Sequence, residues 1–194
     1  MRDIGGHTGQ YAVLLGSIVG PSGKVVTFEP DSAARAVLER NVAINGFDDR
    51  IIIEPFALRD TEGEVTLWSL GGDSMSSFAR SGLSSNANKS AVAPLMVKTQ
   101  VLDHYLARHS MPAPNAVKLD VEGAEIHVLR GPKRVLESDA FIMCELHPYA
   151  WPELGVGESD LASTLAAASR RFEPLERGTT DESLQYGSGI LVRE

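Results

Sequence analysis

The sequence predicts an α/β fold, a three-layer sandwich built around a mainly parallel sheet. Strand-like and helix-like runs alternate along most of the 194 residues, the pattern that β-α-β units produce. Several strand runs are almost continuously apolar, as expected where both faces of a strand are covered. A glycine-rich turn closes the first strand, and in such sheets ligands bind beyond the carboxyl ends of the strands.

Each element follows from local chemistry. Asp3 to Gly9 is the glycine turn, and Gln10 to Val19 is apolar enough for a buried helix. Gly20-Pro21-Ser22-Gly23 must end that helix. Lys24 to Phe28 is a strand rich in β-branched residues. Asp31 or Ser32 caps the next helix, whose Ala33, Ala34, Val37, Leu38 and Val42 recur at helical spacing until Asn45-Gly46. Arg50 to Glu54 reads as a strand buried on both faces. Glu64 to Trp68 and Met96 to Val101 alternate as half-exposed strands. The stretch Ser69 to Ser90, rich in serine, glycine and asparagine, reads as an insertion: a lid, a binding loop or a disordered segment.

Beyond it the alternation resumes. Ala116 to Asp120 and Ala140 to Leu146 are strands, and Ala124 to Leu136 is a helix interrupted at Gly131-Pro132. Leu161 to Ser169 is helical, and Phe172 to Leu175 with Ser188 to Arg193 forms a terminal antiparallel pair. The length suits one domain over residues 1–194.

Composition narrows the function. Eighteen basic against 26 acidic residues give a net charge of −8, which argues against broad electrostatic binding to nucleic acid or anionic membranes. No run approaches the roughly 20 apolar residues of a membrane span, and the first residues do not resemble a secretory signal. A single cysteine, Cys144, excludes an internal disulfide framework and a multi-cysteine zinc site. A cytoplasmic location is the expectation.

The turn Asp3-Ile4-Gly5-Gly6-His7-Thr8-Gly9 and the acid Glu29 at the end of the next strand point to a nucleoside-containing cofactor. Glycines let the backbone approach a ligand, and a carboxylate at that distance can accept both ribose hydroxyls. The dinucleotide pattern G-x-G-x-x-G is missing. Asp3 would repel a pyrophosphate and attract an ammonium. S-adenosylmethionine carries both a ribose and an α-ammonium, so the chemistry leans toward it. A plain structural turn, and for Glu29 a helix-capping or surface role, are the competing readings.

These residues resemble motifs of the class I methyltransferases, and among them the FkbM family. Asp3 to Gly9 looks like the first motif and Val26 to Pro30 the second; Asn41 to Gly46 resembles the following helix end. Ala57 to Asp60 with Glu62-Gly63 is similar to the third segment. The run Val117-Lys118-Leu119-Asp120-Val121-Glu122-Gly123-Ala124-Glu125, followed by Leu129-Arg130-Gly131, is the most characteristic, and Glu145 with His147 resembles the next strand end.

The resemblance implies a Rossmann-like class I methyltransferase sheet. It implies transfer of a methyl group from S-adenosylmethionine to a hydroxyl, on a sugar or natural-product-like small molecule. By the same resemblance, Asp3, Gly5, Gly6 and Gly9 line the methionine side of the cofactor and Glu29 holds the ribose. Pro30, Asp31, Ala57 and Leu58 lie near the adenine. Two features depart from the family: Gly6-His7 stands where Ala-Asn is usual, and only Met1 and Arg2 precede Asp3, so that either the start is internal to a longer protein or the first strand is short. The second motivates an alternative, a non-catalytic or truncated cofactor-binding module. A nicotinamide-dependent dehydrogenase is a further alternative, disfavoured by Asp3.

Methylating a hydroxyl requires removal of its proton. Asp120 and Glu122 follow one strand, and Glu145 and His147 end another; each pair is spaced i, i+2. If the strands are neighbours, all four approach one crevice. Histidine is the easiest base near neutral pH, with Asp120 or Glu122 orienting it or acting directly. Glu122 has a capping alternative, and His147 the alternative of an ordinary loop residue before Pro148. No spacing demands a metal ion. Cys144 is expected in the core, Trp151 in packing or facing substrate, and the 69–90 insertion in acceptor recognition.

Overall fold

The structure, a computed structural model, describes residues 1–70, 76–80, 92–175 and 187–193. Its main sheet has seven strands in the order β10-β11-β9-β8-β1-β2-β3. They are β1 (Arg2–Ile4), β2 (Val25–Phe28), β3 (Ile51–Glu54), β8 (Ala116–Leu119), β9 (Phe141–Leu146), β10 (Arg170–Pro174) and β11 (Gly187–Arg193). The first five run parallel, whereas β11 pairs antiparallel with both β9 and β10. The expected terminal antiparallel pair is therefore present.

A second, four-stranded sheet has the order β4-β7-β5-β6. Its strands are β4 (Ala57–Leu58), β5 (Gly63–Ser69), β6 (Ser76–Ser77) and β7 (Ala93–Gln100). β5 and β7 are the two half-exposed strands the alternation predicts. The pairing with β4 and β6 was not legible, because two-residue strands carry no period.

The helices are α1 (Gln10–Ile18), α2 (Ser32–Ile44), α3 (Leu102–Arg108), α4 (Glu125–Arg130), α5 (Lys133–Leu136) and α6 (Glu158–Ala166), with a 3₁₀ segment over Pro148–Leu154. Asp31 is the N-cap of α2, accepting from the Ala33 amide at 2.9 Å. Pro132 separates α4 from α5 at the predicted interruption, since it has no amide to continue the ladder.

The larger core lies around β1, β8 and β9, with Ile4, Leu119, Ile126, Cys144 and Trp151 nearly inaccessible. A smaller core joins α1 and α2 to the β2–β3 side through Ala12, Leu38, Val42 and Ile51. The β3 run differs from expectation. It is the edge of the sheet, and Ile52 is 37% exposed, so only one face is well covered.

At the other end, Arg170 is buried in β10. Its guanidinium donates to the carbonyls of Leu136, Ser138, Ala140 and Leu191. One buried cation thereby joins β10, β11 and the segment before β9.

The register positions the site. Ile4 pairs with both Phe28 and Leu119, and Leu119 with Cys144. Residues just beyond these ends converge at one sheet edge. The chain order reverses between β1 and β8, which makes that edge the topological switch point.

Candidate functional site

A cleft opens at this edge, floored by Ile4, Gly5 and Phe28 and walled by Ala57, Leu58 and Leu67. Glu29 and Pro30 lie on its β2 side, Asp120 and Glu122 on its β8 side, and Ser76 and Phe78 come from the second sheet. That sheet therefore roofs the cleft; the sequence predicted its strands β5 and β7 and read the 69–90 stretch as a lid, a binding loop or a disordered segment. Of that stretch, 71–75 and 81–90 lie outside the described residues.

Gly5 allows the backbone to pass. It has φ +82°, and a Cβ there would stand 1.8 Å from the Asp120 carbonyl oxygen. Gly6 and Gly9 do not line the cleft. Their missing side chains make room for Thr27 and Leu38 instead, so they serve the packing of the turn against β2 and α2.

Glu29 faces the cleft with both oxygens held. Oε2 accepts from the His7 amide at 2.7 Å and Oε1 from the Asp31 amide at 2.8 Å. Burial pushes its carboxyl up to about 7, against the pull of these two amides. The expectation of a ribose-binding acid here meets a carboxylate fixed in orientation and open on one side.

Asp31 lies behind the cleft wall. Besides capping α2, its Oδ2 accepts from the hydroxyls of Ser69 and Ser76. Burial raises its carboxyl, but these hydroxyls and the Ala33 and Ala34 amides outweigh it, and the net shift is downward. Asp31 thus joins α2 to the roof.

Asp3 is wholly enclosed and lies outside the cleft lining. Its Oδ2 accepts from Thr27 at 2.9 Å, and its Oδ1 lies 3.5 Å from the Lys118 ammonium. Burial raises its carboxyl, with Lys118 opposing. The predicted direct approach to a cofactor ammonium does not match this position. Asp3 faces the site through Lys118, which also lies 3.4 Å from Asp120. Sequence reading did not single out Lys118, because an alternating strand gives no sign that a lysine points inward.

The four residues proposed for proton transfer do come together, since β8 and β9 are neighbours. Asp120 and Glu122 line the cleft. His147 is 2% exposed, with Nε2 3.4 Å from Glu122 and 3.9 Å from Glu145. Donor atoms of Asp120, Glu122 and His147 lie within 4.8 Å of one another. Sequence spacing demanded no metal there; the tertiary structure nonetheless brings together ligand-type atoms.

The histidine is not a neutral base waiting for a proton. Burial alone would lower its pKa. The hydrogen bond to Glu125 and the charges of Glu125, Glu122 and Asp120 raise it to about 9. At neutral pH it is an imidazolium among carboxylates. Glu122 is raised chiefly by burial, with His147 opposing.

Glu122 sits at φ +51°, uncommon for a residue with a side chain, and is followed by Gly123 at φ +106°. The Ser77 hydroxyl holds the Glu122 carbonyl at 2.6 Å, and the Tyr149 hydroxyl donates to its Oε2 at 3.1 Å. Cys144 is buried in β9 with its thiol pushed well up by burial, as expected of a core residue.

A family model described as a methyltransferase FkbM domain matches residues 3–173. The hexuronic acid methyltransferase AglP of Haloferax volcanii is 27% identical over 191 residues, covering 95% of this chain and 68% of that protein. The 2-O-methyltransferase NoeI of Sinorhizobium fredii is 28% identical over 156 residues, covering 75% of this chain and 61% of that one. The solved structure of methyltransferase FkbM from Methylobacillus flagellatus KT superposes with a TM-score of 0.61 at 16% identity, over 98% of this chain and 42% of that one. Fibrillarin of Aeropyrum pernix, solved with S-adenosyl-L-methionine, gives a TM-score of 0.56 at 11% identity, over 98% of this chain and 65% of that one. These two likenesses are of fold. The chain spans about two thirds of the two curated relatives and less than half of the solved FkbM protein. Among the described residues, no helix is long and apolar enough to cross a membrane.

Proposed function

The chain belongs to the FkbM methyltransferase family, and from that premise we propose that it transfers a methyl group from S-adenosylmethionine to a hydroxyl of a sugar. The observation that carries the reading is the cleft itself. It has a fixed carboxylate, Glu29, at one end and two acids, Asp120 and Glu122, at the other.

The residues present fit the cofactor. Each Glu29 oxygen already takes one backbone amide and retains a lone pair for a ribose hydroxyl. Ala57, Leu58 and Phe28 offer an apolar wall to the adenine. Gly5 and Asp120 line the cleft side by side, where the methionine part would lie. When bound, S-adenosylmethionine supplies an electrophilic methyl on a sulfonium.

This chain's residues bind, orient and deprotonate the acceptor. Glu122 is the carboxylate best placed to take the hydroxyl proton, because burial raises its basicity and it lines the cleft. Asp120 is instead engaged by the Lys118 ammonium at 3.4 Å. The roof from Ser76 and Phe78 limits water around the reacting atoms.

A sugar acceptor is supported by the relatives, one a hexuronic acid methyltransferase and the other a 2-O-methyltransferase. Calorimetric titration with S-adenosylmethionine and S-adenosylhomocysteine tests the cofactor reading. Saturable binding by the wild type, weakened at least ~10-fold in Glu29→Ala, is expected from loss of a charged hydrogen-bond acceptor. A folded wild type that binds neither ligand would sink it. Methyl transfer to uronic acid and neutral glycosides, followed by mass spectrometry, then tests the acceptor.

A further inference from the structure

Glu125 stands behind the cleft with both carboxylate oxygens engaged, and it does not line it. It is fully buried. Its Oε1 accepts from the Gly123 amide at 2.7 Å and faces His147 Nδ1 at 2.9 Å. Its Oε2 accepts from the Trp151 indole at 2.9 Å. The amide and the indole can only donate. The Glu125 oxygens accept from both, and the charged His147 ring donates to Oε1 through Nδ1. The imidazole plane is thereby fixed, and Nε2 points toward Glu122. Tyr149 stands edge-on to the ring, 5.8 Å between centroids.

We propose that Glu125 is a positioning residue that acts through His147. By accepting the Nδ1–H it turns Nε2 onto the Glu122 carboxylate and holds that carboxylate where it takes the acceptor's proton. The proposal rests on the methyl-transfer reading. In the step concerned, the acceptor oxygen forms a bond to the methyl carbon as the carbon–sulfur bond breaks. The electron pair of that bond returns to sulfur, which becomes a neutral thioether. The hydroxyl proton passes to Glu122, which becomes a neutral acid. The positive charge of His147 stays constant throughout and opposes the burial that raises the Glu122 carboxyl.

Among the described residues, the groups facing His147 include Glu125 from α4, Glu122 and Asp120 from the end of β8, Glu145 from β9 and the Tyr149 ring from the 3₁₀ segment. Lys118 is engaged with Asp3, Asp120 and the Gly5 carbonyl. Removing the Glu125 charge takes away the largest of the influences that raise His147.

The test is the Glu125→Gln variant, which keeps the shape and removes the charge. NMR of the histidine ring carbons follows His147 with no turnover needed. Wild-type His147 is expected to titrate near 9, and the variant at least about one unit lower. The alkaline limb of the kcat profile should move down with it, and kcat should fall by ~10–100-fold, the scale of a misplaced base, while the acceptor KM changes little. Equal His147 titration in both proteins would overturn the proposal. So would an alkaline limb that stays in place while the NMR titration moves, because a merely structural Glu125 would lower Tm alone. Saturable Mn²⁺ binding that broadens the His147 signals, and is lost in Glu122→Gln, would also overturn it in favour of a cation site. Failure of the methyl-transfer reading is seen separately, as absence of cofactor binding in the wild type.

Discussion

The Lys118 ammonium donates to the Gly5 carbonyl across 2.6 Å, joining β8 to the turn that follows β1. The same ammonium is the counter-charge of the enclosed Asp3. Lys118→Met leaves that carboxylate buried and uncompensated, which costs about 3–5 kcal/mol. Urea denaturation should show this loss, and the added change Asp3→Asn should recover part of it. An equally unstable double variant would mean that the ion pair is not the cause.

Glu29 and His147 each contribute a loss of stability as pH rises between about 4.5 and 9. Glu29 has a folded pKa of about 7 against an ordinary 4.5, so its contribution is full below 4.5 and is lost through 7. His147 has a folded value of about 9 against 6.5, so its contribution is full below 6.5 and is lost through 9. Thermal melts across this range should show Tm declining. Glu29→Gln should flatten the lower part and Glu125→Gln the upper. A Tm that climbs from pH 6.5 to 9 would contradict the His147 environment.

Gly123→Ala should destabilise the loop after β8. The position has φ +106°, and a Cβ would lie 2.3 Å from the Ala150 Cβ. Strain of this kind costs roughly 1–3 kcal/mol. The substitution also shifts the amide that Glu125 accepts. The measurements are Tm and the acceptor KM, and a variant with wild-type values for both would count against a close approach here.

Asp31→Ala removes the α2 cap and the carboxylate that holds Ser69 and Ser76. Loss of such a cap costs about 1 kcal/mol. The Asp31 amide, which holds Glu29, survives the change. S-adenosylhomocysteine affinity should therefore fall less than in Glu29→Ala. The reverse order of affinities would assign Asp31 a direct contact.

Much of the architecture was legible in the chain. The KVVTF and AVKL runs became β2 and β8, Asp31 became a cap, and Pro132 broke the helix where its missing amide required. The convergence of Asp120 and Glu145, which the sequence made conditional on their strands being neighbours, follows from β8–β9 pairing. The wrong expectation at Ile51–Glu54 has a physical origin: an apolar run records what a strand tolerates, and only sheet order says whether it lies at an edge.

Glu29, Asp120 and Glu122, named from the sequence, line the cleft, but their states were not legible there. Sequence alone determined that Glu29, Asp120, Glu122 and His147 stand at strand ends, because period and punctuation are local. Tertiary structure decided that Asp3 is enclosed, that Lys118 balances it, and that Glu125 fixes a charged His147. Burial and counter-charge set these outcomes, and both depend on residues distant in the chain. The partner of His147 is 22 positions away and that of Asp3 is 115, separations no local pattern encodes.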